Sequence, residues 1–320
     1  MTTQKILISD PVADVCLSIL KDRGFEVDFL PGLPTNELCN KIGAYEGLIV
    51  RSATKVTAEV INHAENLKII GRAGTGVDNI DVAAATQKGI AVVNAAKANT
   101  ISAAEHTFAL MMALARRIPE AQISILKGQW QKSKFIGIEL YGKTLGIIGL
   151  GKIGRQVAKR AIAFGMHVLA CDPLIESEVF HLVGVKECNL NEIFRQSDFI
   201  TIHVPFADQT RYLVGEAQFE ICKRNLRLIN TARGGVVDEA ALYRALKNGK
   251  IAGVALDVFE KEPPGENPLF DLENVVITPH LGAGTLEAQN RVAEEIAQLV
   301  ANFLLKKSVE NIVNPEVTQS

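Results

Sequence analysis

The chain has 320 residues, 48% of them apolar, enough for two domains with a core each. A formal net charge of −2 sets up no global field for nucleic acid or an anionic membrane, and the longest apolar run, Phe108 to Ala115, is too short to span a bilayer. Five cysteines without metal-site spacing read as reduced thiols with no metal, and the opening Met1-Thr-Thr-Gln-Lys-Ile6 has no signal-peptide profile, so a cytoplasmic location is expected.

From the amino terminus, short apolar strands alternate with amphipathic helices. Candidate strands lie at 5–8, 26–30, 47–50, 67–70 and 90–93, with helical stretches such as 14–23 between them. This pattern predicts a parallel sheet covered by helices. A long helix starts near Asn99 and runs to about Arg117, with Thr100 or Ser102 as N-cap and Glu105 at the matching capping-box position. The following segment, 119–142, holds Trp130, Lys132, Lys134 and Phe135 and is too long and apolar for a plain connector. It reads as an arm that packs on another subunit or folds back on its own domain.

A second strand series follows at 145–148, 167–171, 199–202, 227–230, 252–255 and 275–278. Gly282-Ala-Gly284 then breaks the chain, and Thr285 opens a last helix with Val292, Ile296, Leu299, Val300 and Phe303 on one face. Appended after the last strand of the second series, this helix is expected to cross back to the first domain. The predicted fold is α/β with two doubly wound parallel-sheet domains. A nucleotide-binding Rossmann domain, 99–284, is inserted into a discontinuous, flavodoxin-like substrate domain, 1–98 and 285–320.

Chemistry enters at Gly149-Leu-Gly-Lys-Ile-Gly154, which sits between a predicted strand and a predicted helix. Gly149 permits the tight turn, Gly151 lets backbone N–H groups approach a pyrophosphate, and Gly154 lets the helix pack close to the strand. Asp172 lies 21 residues beyond Gly151, at the end of the next strand. A carboxylate there accepts hydrogen bonds from adenosine ribose hydroxyls and repels a 2′-phosphate, which favours NAD over NADP. Asp172-Pro173 also suits an ordinary turn.

Arg233, Glu262 and His280 each follow a strand of the second series, so they share the carboxyl edge of one sheet. The Arg233 guanidinium offers a planar fork for a carboxylate. His280 can exchange a proton with a hydroxyl or carbonyl oxygen near neutral pH, and Glu262 can hold the imidazole in one tautomer. Beside NAD, the three suit hydride transfer to or from a 2-hydroxy acid. Taken singly, each also reads as a solvated charge, a turn residue or a structural histidine.

The sequence resembles the D-isomer-specific 2-hydroxyacid dehydrogenases over nearly its whole length. The stretches that carry the likeness are Gly149-Leu-Gly-Lys-Ile-Gly154, Asn230-Thr-Ala-Arg-Gly-Gly-Val-Val-Asp238, Leu256-Asp-Val-Phe-Glu-Lys-Glu-Pro263 and Thr278-Pro-His-Leu-Gly-Ala283. The resemblance implies that Arg233 orients the substrate, His280 is the acid/base, Glu262 supports it and Asp257 contacts the nicotinamide end. It also implies cofactor contacts at Lys152, Ile153, Thr75, Val204, Pro205, Thr231, Ala232, Arg233, His280, Gly282 and Ala283. Val204 stands where some relatives place Thr, which removes one side-chain contact.

Val50-Arg-Ser-Ala-Thr-Lys55, Gly71-Arg-Ala-Gly-Thr-Gly-Val-Asp-Asn79 and Ser102-Ala-Ala-Glu105 most resemble members that act on a phosphorylated 2-hydroxy acid. Arg51, Ser52 and the Gly74-Thr75-Gly76 backbone are then expected to hold the substrate's carboxylate or phosphate, across a cleft from His280. Lys132 and Lys134 are further phosphate candidates, donated by the arm of a homodimer partner. A glyoxylate or hydroxypyruvate reductase and an NAD-sensing corepressor scaffold share these motifs. Because the sequence stops at Ser320, no regulatory domain and no serine feedback are expected.

Overall fold

A computed structural model describes residues 3–307 and 310–318. The chain begins with β1 (Lys5–Ile8), α1 (Val15–Asp22), β2 (Glu26–Phe29), α2 (Thr35–Ile42) and β3 (Gly47–Val50). It continues through α3 (Ala58–His63), β4 (Ile69–Arg72), α4 (Val82–Gln87) and β5 (Ala91–Asn94). The five strands are parallel in the order β2-β1-β3-β4-β5, the flavodoxin-like arrangement. Their inner members, β1, β3 and β4, are apolar apart from Lys5 and Arg72 at strand ends, because both faces are buried. Ile6 and Ile8 face one cluster with Ile49, Ile69 and Val93, whereas Leu7 faces the other with Leu48, Ile70 and Val92.

The long helix α5 (Thr100–Arg116) follows, then α6 (Ile118–Leu126), a 3₁₀ turn at Lys132–Phe135 and β6 (Thr144–Ile148). Next come α7 (Lys152–Ala163), β7 (His167–Cys171), α8 (Ser177–Val183), β8 (Lys186–Glu187), α9 (Leu190–Gln196) and β9 (Phe199–Ile202). The last strands and helices are α10 (Glu216–Ile221), β10 (Arg227–Asn230), α11 (Glu239–Lys247), β11 (Gly253–Leu256), β12 (Val275–Ile277) and α12 (Leu286–Leu304). Strands β6 to β12 form a second parallel sheet, ordered β12-β11-β10-β9-β6-β7-β8. The winding reverses between β6 and β9, the switch point at which open α/β sheets of this kind bind dinucleotides.

The chain divides into two units, Met1–Asn99 with Ala283–Ser320, and Thr100–Gly282. Helix α12 belongs to the first. Val292, Ile296, Val300 and Leu304 close the cluster that contains Ile6, Ile8, Ile49 and Ile69. Past α12, the N–H of Val313 donates to the carbonyl of Val92, and the Asn314 side chain accepts from the Val92 N–H, so the tail covers the open edge of β5.

Two local expectations differ from the structure, and one short strand has no counterpart among the candidate strands. Strand β4 starts two residues later than its apolar run suggests and includes Gly71, where a side chain would not fit. A Cβ at Gly71 would stand 2.6 Å from a Val300 methyl, so α12 can pack there only against a glycine. The two-residue β8 is polar and exposed and leaves no periodic trace in the sequence. Helix α5 already includes Thr100 and Ser102, so neither is its N-cap, and Glu105 binds Arg160 at 3.0 Å instead of closing a capping box.

Candidate active site

The glycine loop joins β6 to α7 and meets three separate demands. Gly149 has φ +94°, and a Cβ there would lie 2.7 Å from the carbonyl oxygen of His203 and 2.9 Å from a Val204 methyl. At Gly154 a Cβ would lie 2.1 Å from the carbonyl oxygen of Gly149, so the start of α7 can lie on the loop only without a side chain. Gly151 differs, because a Cβ there would meet no protein atom within 4 Å. The protein's own packing therefore does not require this glycine, and the space it keeps lies at the α7 N-terminus, where no side chain caps the helix. Main-chain N–H groups of the first turn are left for an anion, as a dinucleotide pyrophosphate needs.

Asp172 follows β7 directly. One carboxylate oxygen accepts from the Leu150 N–H at 2.8 Å and the other from the Leu174 N–H at 3.0 Å. The carboxylate is thus tied to the glycine loop and keeps lone pairs for ribose hydroxyls.

Along the same carboxyl edge of this sheet, the loops after β10, β11 and β12 carry Arg233, Glu262 and His280. A Cβ at Gly234 would fall 1.8 Å from the carbonyl oxygen of Phe259, so the Arg233 loop lies directly on the chain that leads to Glu262. One Glu262 oxygen accepts from the Phe259 N–H at 3.2 Å, and the other stands 2.8 Å from His280 Nδ1. Burial alone would raise the Glu262 pKa. The bond to His280, its charge, the Phe259 N–H and the Arg233 guanidinium outweigh that and hold it below the usual value of 4.5. An ionised Glu262 makes Nδ1 the protonated nitrogen of His280 and leaves Nε2 as a proton acceptor. Both side chains are partly open, His280 at 49% and Glu262 at 39%.

His280 has φ +56°, an uncommon conformation for a residue with a side chain. Asp257, at the end of β11, holds it there. Asp257 is expected at the nicotinamide end, yet it is fully buried, and its carboxylate is taken up within the protein. It accepts from the Thr278 hydroxyl at 2.6 Å and from the N–H groups of Leu281 and Gly282 at 2.7 and 2.9 Å. His106 on α5 places Nε2 3.1 Å from both Asp257 and Thr278. Since the Thr278 proton goes to Asp257, Nε2 of His106 must carry a proton of its own. Asp257 therefore anchors the His280 turn from below.

The remaining expected cofactor contacts fall in the same unit, apart from Thr75 and Ala283. Lys152 and Ile153 form the first turn of α7, and Val204 and Pro205 follow β9. The Thr231 hydroxyl binds that of Thr107 at 2.8 Å, and the Ala232 N–H donates to the Asn230 side chain at 3.0 Å. Lys132 and Lys134 are exposed on the 3₁₀ turn, with the Lys132 ammonium 5.6 Å from the centre of the Trp130 ring.

In the first unit, Arg51, Ser52, Gly74 and Thr75 follow β3 and β4 at the carboxyl edge of the five-stranded sheet. Gly74 has φ +145°, and the Arg72 guanidinium lies across it, 1.7 Å from where a Cβ would stand. The Thr75 hydroxyl donates to Asn99 at 2.9 Å, and its carbonyl accepts from Asn94 at 2.5 Å. Sequence reasoning passed over Asp10, Asn79 and His106, because each acts on a loop far away in the chain. The signal for Asp10 and His106 is only their polarity beside apolar strands and helices, whereas Asn79 ends the Gly71–Asn79 stretch that carries the resemblance.

Residues 108–282 match the family model described as D-isomer specific 2-hydroxyacid dehydrogenase, NAD binding domain. D-3-phosphoglycerate dehydrogenase of Methanocaldococcus jannaschii is 52% identical over 317 residues, which cover 98% of this chain and 60% of that protein. The chain thus spans about 60% of the length of that curated relative. A solved D-lactate dehydrogenase from Aquifex aeolicus, complexed with NAD and lactic acid, is similar with a TM-score of 0.84 and 32% identity, covering 97% of this chain and 99% of that one. A glyoxylate reductase from Paecilomyes thermophila has a TM-score of 0.89 and 29% identity, covering 99% of this chain and all of that one.

Proposed function

Because this chain belongs to the D-isomer specific 2-hydroxyacid dehydrogenases, we propose that it oxidises 3-phospho-D-glycerate to 3-phosphohydroxypyruvate with NAD, the opening step of phosphorylated serine biosynthesis. The observation that carries the reaction class is the 2.8 Å bond between His280 and Glu262. The substrate is proposed from the names of relatives about half identical to this chain. In this reading, Thr100–Gly282 is the cofactor domain and the unit built from both ends of the chain is the substrate domain.

Gly149, Gly151, Lys152, Ile153 and Gly154 hold the pyrophosphate, and Asp172 takes the adenosine ribose. NAD, when bound, supplies the acceptor for the hydrogen and electron pair that leave C2 of the substrate. His280 Nε2 takes the hydroxyl proton as the C2–O bond becomes a carbonyl. Glu262 stabilises the imidazolium that forms. Arg233 binds the substrate carboxylate and the oxygen on which charge changes. Arg51, Ser52, Gly74 and Thr75 bind the remaining anionic group, with Lys132 and Lys134 as further phosphate ligands. Asp257, buried beneath His280, holds the turn that carries it through the N–H groups of Leu281 and Gly282.

Among the described residues no helix is long and apolar enough to cross a membrane, and the five cysteines are free. These facts support a cytoplasmic enzyme. Ile118, Ile123, Ile125, Leu126, Trp130 and Ile136 are each at least half exposed on α6 and the arm. So much open apolar surface supports a homodimer formed through the cofactor unit and the 119–142 arm.

A steady-state assay of purified protein with a panel of 2-hydroxy and 2-oxo acids tests the substrate. Preference for glyoxylate or hydroxypyruvate would replace the phosphorylated substrate, a reading the similarity to a glyoxylate reductase keeps open. No turnover on any of them, with tight NADH binding, would favour the scaffold. Purified His280→Ala should bind NADH and lose turnover; near-normal turnover would remove the role given to His280.

A further inference from the structure

We propose that Asp10 and Asn79 are positioning residues that shape the loop at 51–54 into a rigid anion receptor. The inference rests on the proposed role of Arg51 and Ser52 in substrate binding.

Asp10 stands just past β1 and is 1% exposed. Its carboxylate accepts the Arg51 N–H at 2.5 Å, the Thr54 hydroxyl at 2.9 Å and the Thr54 N–H at 3.1 and 3.2 Å to its two oxygens. Asn79, buried at 9%, works from the other side. Its side-chain nitrogen donates to the carbonyls of Arg51 and Thr54, both at 2.7 Å. The first and last residues of the loop are therefore held through N–H and C=O alike, by one buried acceptor and one buried donor.

Between these clamped ends, Ser52 and Ala53 are exposed. Among the described residues, their N–H groups bond to nothing in the protein. With the N–H groups at 51 and 54 drawn inward, the loop offers two free N–H groups, the Ser52 hydroxyl and the Arg51 guanidinium to its exposed side. Such a set of donors suits a carboxylate or phosphate oxygen. A carboxylate as deeply buried as Asp10 is costly unless its bonds are made, and here all of them serve this one loop and its end at Thr54. Fixing the receptor before the ligand arrives removes an ordering cost from binding. The clamp therefore acts on affinity for the substrate and not on the proton and hydride steps.

The test compares Asp10→Asn and Asn79→Ala with Arg51→Ala, measuring KM and kcat for 3-phospho-D-glycerate, NADH binding by fluorescence and thermal unfolding. An Asn at position 10 cannot accept from both loop ends with both atoms. Asp10→Asn is expected to raise KM about tenfold, the equivalent of one charge-assisted bond, with kcat and NADH affinity little changed. Asn79→Ala should act in the same direction and serves if the first variant does not fold. In the double variant Asp10→Asn with Arg51→Ala, the rise in KM should be smaller than the product of the two single effects, since both changes act on one receptor. Unchanged KM in folded Asp10→Asn and Asn79→Ala, beside a raised KM in Arg51→Ala, overturns the clamp alone. A parallel loss of kcat, KM and NADH binding also overturns it, as general destabilisation. If Arg51→Ala leaves KM unchanged, the substrate-binding reading itself fails.

Discussion

Two alanine substitutions three residues apart in the glycine loop should have opposite effects. At Gly151 the backbone is extended, with φ −69° and ψ −161°, and an added Cβ meets no protein atom within 4 Å. Gly151→Ala therefore costs the fold nothing and restricts the unfolded chain, which stabilises by about 0.4–1 kcal/mol, or roughly 1–4 °C in Tm. The same methyl occupies the space proposed for the pyrophosphate, so NADH affinity should fall at least about tenfold, roughly 1.4 kcal/mol. At Gly154 the Cβ would lie 2.1 Å from the Gly149 carbonyl oxygen and 3.4 Å from an Ile147 methyl. The first turn of α7 must then lift from the strand by about 1 Å, an overpacking cost of about 1–3 kcal/mol. Gly154→Ala should lower Tm by several degrees and weaken NADH binding as a secondary effect. Scanning calorimetry and NADH fluorescence titration on both variants give the comparison. If Gly151→Ala binds NADH as tightly as the parent, the phosphates do not lie on this loop.

Glu262→Gln keeps the shape but not the charge beside His280, and should lower kcat by about 10²–10⁴-fold with NADH binding preserved; an unaltered kcat would count against the pair. Asp172→Ala should narrow the preference for NAD over NADP, read from kcat/KM with each cofactor, and an unchanged ratio would show that Asp172 does not set it. Asp198 accepts bonds from the Thr144 N–H, Lys223 and Asn225. Burial would raise its pKa, but these donors and the Lys223 charge hold it below the ordinary 3.8. A lowered folded-state pKa contributes stability above about pH 3.8 that disappears as pH falls through the folded value. Asp198→Asn should therefore cost about 1–3 kcal/mol near pH 7 and less below pH 3.8, measured by urea unfolding, whereas a gap independent of pH would exclude the linkage. Leu126→Asp with Trp130→Ser should shift the mass in light scattering from dimer to monomer, and a parent protein that is already monomeric would refute the proposed interface.

Strand series, glycine loop and the three polar strand ends were legible because each is a local pattern. Alternation of apolar runs with helices marks parallel sheets, and the strand–glycine–helix order gives the Gly149 motif its context. What escaped depends on contacts between distant positions. Gly71 reads as a strand end, yet it is a strand interior because α12 arrives there from more than two hundred residues away. The resemblance puts Asp257 at the nicotinamide end, whereas in the fold its carboxylate accepts from Thr278, Leu281 and Gly282. Asp10 and His106 stand in no motif, and Asn79 closes the Gly71–Asn79 stretch without any sign of what it holds. Their meaning lies in which loop they hold, and only the folded chain brings loop and holder together.

Helix α12 also sets the order in which the molecule can be completed during synthesis. Thr100–Gly282 is one uninterrupted run, so its sheet and covering helices can assemble as soon as that stretch has left the ribosome. The five strands made earlier cannot finish, because Ile6, Ile8, Ile49 and Ile69 stay uncovered until Val292, Ile296 and Val300 arrive. A nascent chain halted before Leu286 should present that apolar face to chaperones while its middle section is already protease-resistant. The sheet that is translated first is the one that closes last.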